Sequence, residues 1–534
     1  MKAINRIASF MLVMALVVTT FLATPITAEA AKAKKAAAPA AKVTIAAALI
    51  QGTDVVVSAS GTAASDDGVY HLIAADVNQP ANVGLDVAQA PVAAAATFTA
   101  PLNKAQANSL LFKKFTVCVS KGGVLTPVSN SMYITNPEAC ATHTVVRSDG
   151  GKKGILADAS VFNIGTRQVA QMRAKQCTIT LELSKVANGR GVPYNYHGKQ
   201  FWFNTAYISA YDNFIARMNS QGAQVTLIIV ADQGAPGTMI SPYAANGLGL
   251  HSYYGLNATT TEGVETLSAL ASFLAARWSD KPWMGSTAKV DNWVIGNEVN
   301  AWNQWNYMAN GGDLAVYTAE YANAFRLFYN GIKSENANAN VYMCTDHHWA
   351  LTEKTVHSAK SFITQFNNVI ASQGNIDWRL AFHAYNYPLT NGIAWAPTAN
   401  VQRSQNTKFV SVYNISVVTD FLSQPQFLSP TGAVRTVKLS EQGYTSTAGE
   451  PQQAASIVYA VLAANSNSHI DGIIISREKD AAIEMQQGLA NGLMTLDNKK
   501  KMSWDFYVNA EDPGYIAQAS GLAGADLTTL VELR

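Results

Sequence analysis

The carboxyl-terminal two-thirds of the chain alternates short apolar runs with longer segments in which apolar residues recur every three or four positions. Short runs predict strands and the helical period predicts helices. The unbroken apolar run at 225–231 is typical of a parallel strand that is buried on both faces. The predicted strands are 154–159, 177–183, 225–231, 292–296, 341–345, 379–383, 436–440 and 472–475. The named helices are 166–175, 207–220, 314–333, 360–370, 411–422 and 452–464.

This alternation of strand and helix predicts an α/β fold, the (β/α)₈ TIM barrel, over residues 145–534. In such a barrel the loops that leave the carboxyl ends of the strands meet at one rim. Polar residues that directly follow apolar strands are therefore the candidates for chemistry.

A different pattern occupies residues 43–144, where short β-rich runs are separated by Gly, Asp, Asn and Pro. The runs lie at 55–58, 70–73, 96–99 and 115–119. This spacing predicts a small antiparallel β-sandwich that serves as an accessory module. Such a module either binds glycans or spaces the catalytic unit, and no ladder of tryptophans favours binding.

The amino terminus has the features of a signal peptide over residues 1–30. Lys2 and Arg6 precede an apolar run at 7–22, and Ala28-Glu29-Ala30 is a small-x-small cleavage site. An uncleaved anchor is the alternative, but the run is short and ends near Pro25. The Ala/Lys/Pro segment at 31–42 then predicts a flexible tether. We expect a secreted protein without a later transmembrane segment, and association with the cell wall stays open.

The composition and net charge of the chain limit the kinds of partner that it can bind. The 534 residues are 48% hydrophobic and 14% charged, with a formal net charge of +2, so a large core is expected and nucleic acid is not. Cys118 and Cys140 lie in the first module, where spacing alone does not establish a disulfide. Cys177 and Cys344 lie in predicted strands and are expected to be buried apolar residues rather than metal ligands.

Two glutamates end apolar strands of the predicted barrel. Glu298 follows the fourth strand and Glu441 follows the seventh, so both reach the same rim. Either glutamate alone is a weak indication of function. Two glutamates at one rim, however, meet the requirement of glycosidic cleavage for a pair of carboxyls. Cleavage of a glycosidic bond uses one protonated carboxyl for the leaving oxygen and one ionised carboxylate as nucleophile or base.

The motifs around these glutamates, Gly-Asn-Glu-Val at 296–299 and Ser-Glu-Gln-Gly-Tyr-Thr-Ser at 440–446, resemble those of glycoside hydrolase clan A. They are most similar to the β-1,3-glucanase family 17 motifs, V-G-N-E-V and S-E-T-G-W-P-S. The resemblance covers the barrel only. The whole chain is also similar to an uncharacterised family of exported bacterial proteins, which implies no activity.

The clan resemblance implies a retaining glycoside hydrolase that acts on a β-linked poly- or oligosaccharide by double displacement. By this resemblance Glu298 is the acid/base, Glu441 is the nucleophile, and Asn297 binds the sugar 2-hydroxyl. The sixth strand ends in His383-Ala384-Tyr385. Clan members commonly place a tyrosine there that hydrogen-bonds the nucleophile, whereas His383 is either a substrate contact or a core histidine.

The chain also departs from the clan pattern. Many members have an aromatic platform after the eighth strand, where this chain has Ser476-Arg477-Glu478, and many have an arginine after the second strand, which is missing after 181–184. These differences are compatible with an altered subsite, an unusual substrate or a loss of catalysis.

Further candidates for sugar contacts lie on the same rim, because flat rings stack on the apolar faces of sugars. They are Trp302, Trp305, Trp349, His348 and Tyr444.

Two rival functions remain at this point. One is a non-catalytic glycan-binding barrel. The other is a metal-dependent barrel hydrolase, suggested by Asp346-His347-His348 and His383. Such enzymes need a His-x-His pair on the first strand, which here ends Ala157-Asp158-Ala159-Ser160. We therefore expect no metal and no cofactor.

Overall fold

The computed structural model describes residues 42–144, 147, 150–157, 170–187, 190–279 and 287–534. An amino-terminal β-sheet adjoins a closed barrel of eight parallel strands, which confirms the predicted fold class. The predicted signal peptide, nearly all of the tether and residues 166–169 of the predicted helix at 166–175 lie outside the described residues. Within the described residues, no helix has the length and apolar character needed to cross a membrane.

Seven strands form the amino-terminal sheet, which pairs in the order β4-β3-β6-β7-β1-β2-β5. All neighbours are antiparallel except β1 and β7, which meet in a single parallel pair. The predicted runs correspond to β2, β3, β5 and β6. The strands are β1 (Val43–Gln51), β2 (Asp54–Gly61), β3 (Val69–Ala75), β4 (Leu85–Pro91), β5 (Ala95–Pro101), β6 (Lys114–Lys121) and β7 (Val124–Tyr133).

The barrel closes by pairing its last strand with its first. Each of the eight predicted strands overlaps an observed one, because buried parallel strands have the continuous apolar runs that the sequence displays. The first to eighth barrel strands are β8 (Lys153–Leu156), β9 (Gln176–Glu182), β12 (Gln224–Val230), β13 (Asn292–Ile295), β14 (Asn340–Thr345), β15 (Trp378–Phe382), β16 (Val437–Gln442) and β17 (Ile470–Ile475).

Helices surround the barrel, and a hairpin, β10 (Val192–Tyr196) and β11 (Lys199–Phe203), extends the loop after β9. Side chains of Asn204, Thr260, Asp313 and Ser358 accept backbone N–H groups at the starts of four long helices. The helices are α1 (Leu183–Val186), α2 (Thr205–Ser220), α3 (Thr261–Arg277), α4 (Trp302–Trp305), α5 (Leu314–Glu335), α6 (Ala359–Ser372), α7 (Ser416–Leu422), α8 (Glu450–Asn465), α9 (Ala482–Met485), α10 (Met502–Val508) and α11 (Pro513–Ala523).

A polar network occupies the barrel interior toward the amino-terminal ends of the strands. Lys438 Nζ lies 3.0 Å from Asp471 Oδ1 and 2.7 Å from Gln176 Oε1, and the Tyr342 hydroxyl donates to Asp471 Oδ2 at 2.7 Å. These bonds join strands β9, β14, β16 and β17. A satisfied polar network of this kind makes a rigid floor for the residues above it.

All four cysteines lie within the described residues and are free thiols. Cys118 and Cys140 therefore form no disulfide in this structure. Cys177 and Cys344 are completely buried, as expected for small apolar residues in barrel strands.

Candidate active site

The turn after β13 directs Glu298 over the mouth of the barrel. Gly296 has φ 79° and Glu298 has φ 40°, both in the left-handed region. A Cβ on Gly296 would lie 2.7 Å from Val299 Cγ1, so the turn needs glycine. The Glu298 amide donates to Cys344 Sγ at 3.4 Å and the Val299 amide to the Cys344 carbonyl at 3.0 Å, which anchors the turn to β14.

Glu298 is held by a buried histidine from the sixth strand. His383 Nδ1 lies 2.7 Å from Glu298 Oε1, and the exposed fractions of the two side chains are 1% and 16%. On its other side, His383 Nε2 lies 3.4 Å from Cys344 Sγ. Burial raises the pKa of Glu298, and the hydrogen bond and charge of His383 oppose that rise. Glu298 is thus suited to carry a proton.

Glu441 is held by a tyrosine from the same strand end. The Tyr385 hydroxyl donates to Glu441 Oε1 at 2.6 Å. Burial, together with the neighbouring Glu441 carboxylate, raises the pKa of Tyr385 well above its ordinary value, so the phenol remains a donor. His383 and Tyr385 are two positions apart after β15, and each holds one glutamate. The charge of Glu441 also raises the pKa of Glu298, so the two carboxyls interact.

Asn297 lies beside Glu298 and is half-buried. Within the described residues its side chain has no hydrogen-bond partner, so its amide is available to a ligand.

His348 lies in a hydrogen-bond network on the Glu298 side of the barrel mouth. Asp346 accepts from His348 Nδ1 at 2.5 Å and from Asn300 Nδ2 at 2.6 Å. Burial favours the neutral form of Asp346, but the hydrogen bond from His348 holds its pKa below the ordinary value. Burial alone would lower the pKa of His348, but the hydrogen bond to Asp346 outweighs that effect. The pKa of His348 is therefore raised, and the charge of Glu298 contributes to the rise. His348 therefore lies close enough to Glu298 for the charge of Glu298 to affect the pKa of His348.

His347 Nδ1 donates to the Tyr385 carbonyl at 3.0 Å. Because that acceptor is a carbonyl, Nδ1 carries the proton, and burial lowers the His347 pKa. Of the residues that suggested a metal site, Asp346 and His348 bond to each other, His347 bonds to the backbone, and His383 bonds to Glu298. Across the described ranges, no group of three or more His, Cys, Asp and Glu is arranged to hold a metal.

The predicted aromatic contacts separate into two groups. Trp302 and Trp305 are half-buried on α4, and the Trp305 ring lies 5.8 Å from that of Tyr253. Trp349 is completely buried, with its ring 5.2 Å from Phe421, and Tyr444 is 1% exposed. The structure thus leaves the α4 tryptophans near the rim and places the other two rings in the core.

Sequence reasoning missed Tyr253, which lies in the long connection after β12. Burial raises its pKa, and so do the charges of Glu182 and Glu441, which places it between the second and seventh strands. The signal available in the sequence was the length of that loop, which is rich in Gly and Tyr.

Sequence reasoning also missed Glu484 on α9. Arg477 Nη2 donates to Glu484 Oε1 at 2.6 Å, at the end of the eighth barrel strand. The peptide between Ser476 and Arg477 is cis.

The fold and the site define a TIM-barrel protein with paired carboxyls at the ends of its fourth and seventh strands. The chain belongs to the family of unknown function DUF5722, whose model matches residues 145–528. No curated protein matches the chain.

Several solved structures are similar to this chain. A family 39 glycoside hydrolase from Bacteroides cellulosilyticus WH2 has 12% identity over 88% of this chain and 79% of its own, with a TM-score of 0.46. A family 5 glycoside hydrolase from Streptomyces cattleya, in complex with Manβ1-4GlcNAc, has 11% identity over 67% and 80%, with a TM-score of 0.44. A family 1 β-glucosidase from Thermotoga maritima has 12% identity over 66% and 86%, with a TM-score of 0.41.

Proposed function

We propose that this protein is a secreted, retaining glycoside hydrolase that cleaves a β-linked poly- or oligosaccharide. One observation carries the proposal: two glutamates at facing strand ends are held by separate residues of a third strand end. His383 bonds to Glu298 and Tyr385 bonds to Glu441. An acid and a nucleophile must differ in protonation, and burial favours the protonated form of Glu298.

In the first step Glu298 gives its proton to the glycosidic oxygen while a Glu441 oxygen attacks the anomeric carbon. The carbon–oxygen bond to the leaving group breaks, and a covalent glycosyl–enzyme ester forms at Glu441. Tyr385 occupies Oε1 of Glu441, which orients the second oxygen, Oε2, for attack.

In the second step the ionised Glu298 takes a proton from water, and the water oxygen attacks the anomeric carbon. The ester bond breaks, Glu441 leaves as a carboxylate, and the sugar keeps its original configuration. Asn297 is positioned to bond to the 2-hydroxyl, an interaction that strengthens in the transition state. Retention requires carboxyls about 5–5.5 Å apart.

The test is a set of aryl β-glycosides and polysaccharides assayed with wild type, Glu441→Gln and Glu298→Ala. We expect Glu441→Gln to lose activity by at least about a thousandfold at an unchanged melting temperature, because the substitution removes the attacking charge. The matched control is Glu320→Gln on α5, a half-buried glutamate outside the mouth, which should retain full activity.

Glu298→Ala should keep the first step on an aryl glycoside with an activated leaving group, because that group needs little protonation. Azide should then restore turnover and give a glycosyl azide of retained configuration. A first product of inverted configuration by NMR would exclude double displacement. Binding of glycans without hydrolysis of any substrate would instead identify a non-catalytic glycan-binding barrel.

A further inference from the structure

An arginine–glutamate pair occupies the end of the eighth strand. Arg477 follows β17 by two residues, and Glu484 is on α9, with 2.6 Å between Arg477 Nη2 and Glu484 Oε1. The exposed fractions of the two side chains are 29% and 17%. The pair is therefore set into the rim with part of its surface open.

This pair borders the nucleophile. Ile475 at the end of β17 pairs with Gln442, the residue after Glu441. The Ser476 amide donates to the Gln442 carbonyl at 2.8 Å. The pKa of Glu484 is raised by burial and also by the charge of Glu441. A sugar attached to Glu441 would therefore lie next to Arg477 and Glu484.

The pair has unused hydrogen-bonding capacity. Arg477 Nε and Glu484 Oε2 are buried and have no partner among the described residues. Arg477 Nη1 makes no hydrogen bond within that part of the chain either. Buried polar groups without partners are costly, so a ligand that supplies hydrogen bonds to them would be stabilised here. A sugar with two adjacent hydroxyls supplies an acceptor for the arginine and a donor for the glutamate.

The charge of the mouth restricts which sugar fits. Three basic side chains there already have carboxylate partners: Lys185 with Glu182 at 2.7 Å, Arg477 with Glu484, and His348 with Asp346. Asp232, which follows β12, and Glu441, near the end of β16, are further carboxyls at this end of the barrel. Because like charges repel strongly in a partly buried site, a uronate or sulfated sugar is disfavoured.

We propose that Arg477 and Glu484 form a polar subsite that binds adjacent hydroxyls of an uncharged sugar, in the place where a stacking ring would otherwise hold it. The substrate class is then a glycoside of a neutral sugar rather than of a uronic acid. This inference rests on the proposed function, because it assigns the pair to the sugar that Glu441 attacks.

The first test compares aryl β-glycosides of neutral hexoses with the matching aryl β-glucuronide. We expect turnover of a neutral glycoside and none of the glucuronide. Arg477→Met removes the donors and keeps the stem, and should lower kcat/KM on the neutral glycoside by about 10- to 100-fold, the usual effect of a hydrogen bond to a charged group. The control is Arg403→Met, whose guanidinium pairs with Glu532 at 3.3 Å on the surface.

Monodeoxy versions of the neutral glycoside separate direct contact from a structural role. If Arg477 bonds to a hydroxyl, removing that hydroxyl is costly in wild type and nearly free in Arg477→Met. Equal costs in both proteins for every deoxy position would overturn the proposal. Glu484→Gln, which preserves size, gives the same cycle if Arg477→Met fails to fold.

A binding experiment distinguishes this inference from the proposed function. Glu441→Gln is titrated with neutral and with uronate-containing oligosaccharides by calorimetry. Binding of neutral glycans that is lost on adding Arg477→Met, without hydrolysis by wild type, would retain the subsite and reject the hydrolase. Preferential binding or cleavage of the uronate series, lost in Arg477→Met, would reject the subsite proposal alone.

Discussion

Glu298 and Glu441 are the same type of residue, and their neighbours give them different tasks. Glu298 is mostly buried, and its Oε1 atom lies within hydrogen-bond distance of His383 Nδ1. Glu441 instead accepts a hydrogen bond from the Tyr385 hydroxyl. A hydrogen bond to the ionised form stabilises a carboxylate, and burial stabilises the acid. In the proposed mechanism burial, rather than the bond from His383, favours the protonated form of Glu298, and Tyr385 orients Glu441 as the nucleophile.

The Tyr385 hydroxyl gives the first residue-scale prediction. Tyr385→Phe keeps the ring and removes the 2.6 Å bond to Glu441. Hydrogen bonds to charged groups are worth about 1.5–3 kcal/mol, so kcat/KM should fall by about 10- to 100-fold. Steady-state kinetics check this, with Tyr243→Phe, an exposed tyrosine in the loop after β12, as the control. Equal rates for Tyr385→Phe and wild type would remove Tyr385 from the site.

His383 sets the pH range of the acid/base. Burial raises the pKa of Glu298, and the hydrogen bond and charge of His383 lower it. His383→Ala removes the lowering contribution, so the pKa of Glu298 should rise further. Because the acid must be protonated to act, the alkaline limb of kcat/KM should move to higher pH. His469→Gln, at the opposite end of the barrel, should leave the limb unchanged, and a downward shift in His383→Ala would contradict the assignment.

Cys344 is a positioning residue beneath this pair. Its sulfur contacts His383 Nε2 and accepts the Glu298 amide, each at 3.4 Å. Cys344→Ala should lower kcat by about fivefold, the effect of one neutral hydrogen bond, and should shift the same alkaline limb. Cys344→Ser should restore much of the rate. Cys177→Ala is the matched buried cysteine, and an identical effect there would indicate general core damage.

The sequence was sufficient to predict residues that end strands, since a polar residue after an apolar run is visible. His383, Tyr385, Glu298 and Glu441 are all of this kind. Residues inside a strand or beyond a loop are not visible in this way. Cys344 has the pattern of a core residue, and Glu484 meets Arg477 only through the fold of the loop after β17.

At the scale of elements, prediction depended on how plainly the local pattern differs from its surroundings. The barrel strands were found because their apolar runs are continuous. β1 was missed because three consecutive alanines, which have low β propensity, lie in the middle of its sequence. The hairpin of β10 and β11 and the helix α3 were missed between better-marked segments, and their positions depend on packing.

The turn after β13 gives a prediction at this scale. Gly296→Ala places a Cβ 2.7 Å from Val299 Cγ1 in a left-handed conformation. Strain of this kind costs about 1–3 kcal/mol, so the melting temperature should fall and Glu298 should be displaced, with a loss of kcat. Gly237→Ala is the control, since nothing lies within 4 Å of its added Cβ. An unchanged melting temperature and kcat would show that the turn tolerates a side chain.

At the scale of the whole molecule, the amino-terminal sheet packs closely against α5 of the barrel. The Arg326 guanidinium lies 4.8 Å from the centroid of the Tyr133 ring. Asn330 Nδ2 donates to the Leu111 carbonyl at 2.9 Å, and Lys104 Nζ to the Ser334 carbonyl at 2.6 Å. The Tyr133 amide donates to the Gln373 carbonyl at 2.9 Å. These contacts are buried or partly buried, so the stability of the barrel should depend on the sheet.

Tyr133→Ala tests that dependence. Truncating a fully buried aromatic residue costs about 3–5 kcal/mol, and here it also removes the ring beneath Arg326. All ten tryptophans lie after residue 144, so tryptophan fluorescence reports unfolding of the barrel part alone. If sheet and barrel unfold together, the substitution should lower the fluorescence midpoint and leave one calorimetric transition.

Val124→Ala, at a side chain 63% exposed in the same sheet, should change neither. A fluorescence midpoint equal to that of wild type, with a second calorimetric transition at lower temperature, would instead show two independently stable units, because the damage would then be confined to the part that carries the substitution.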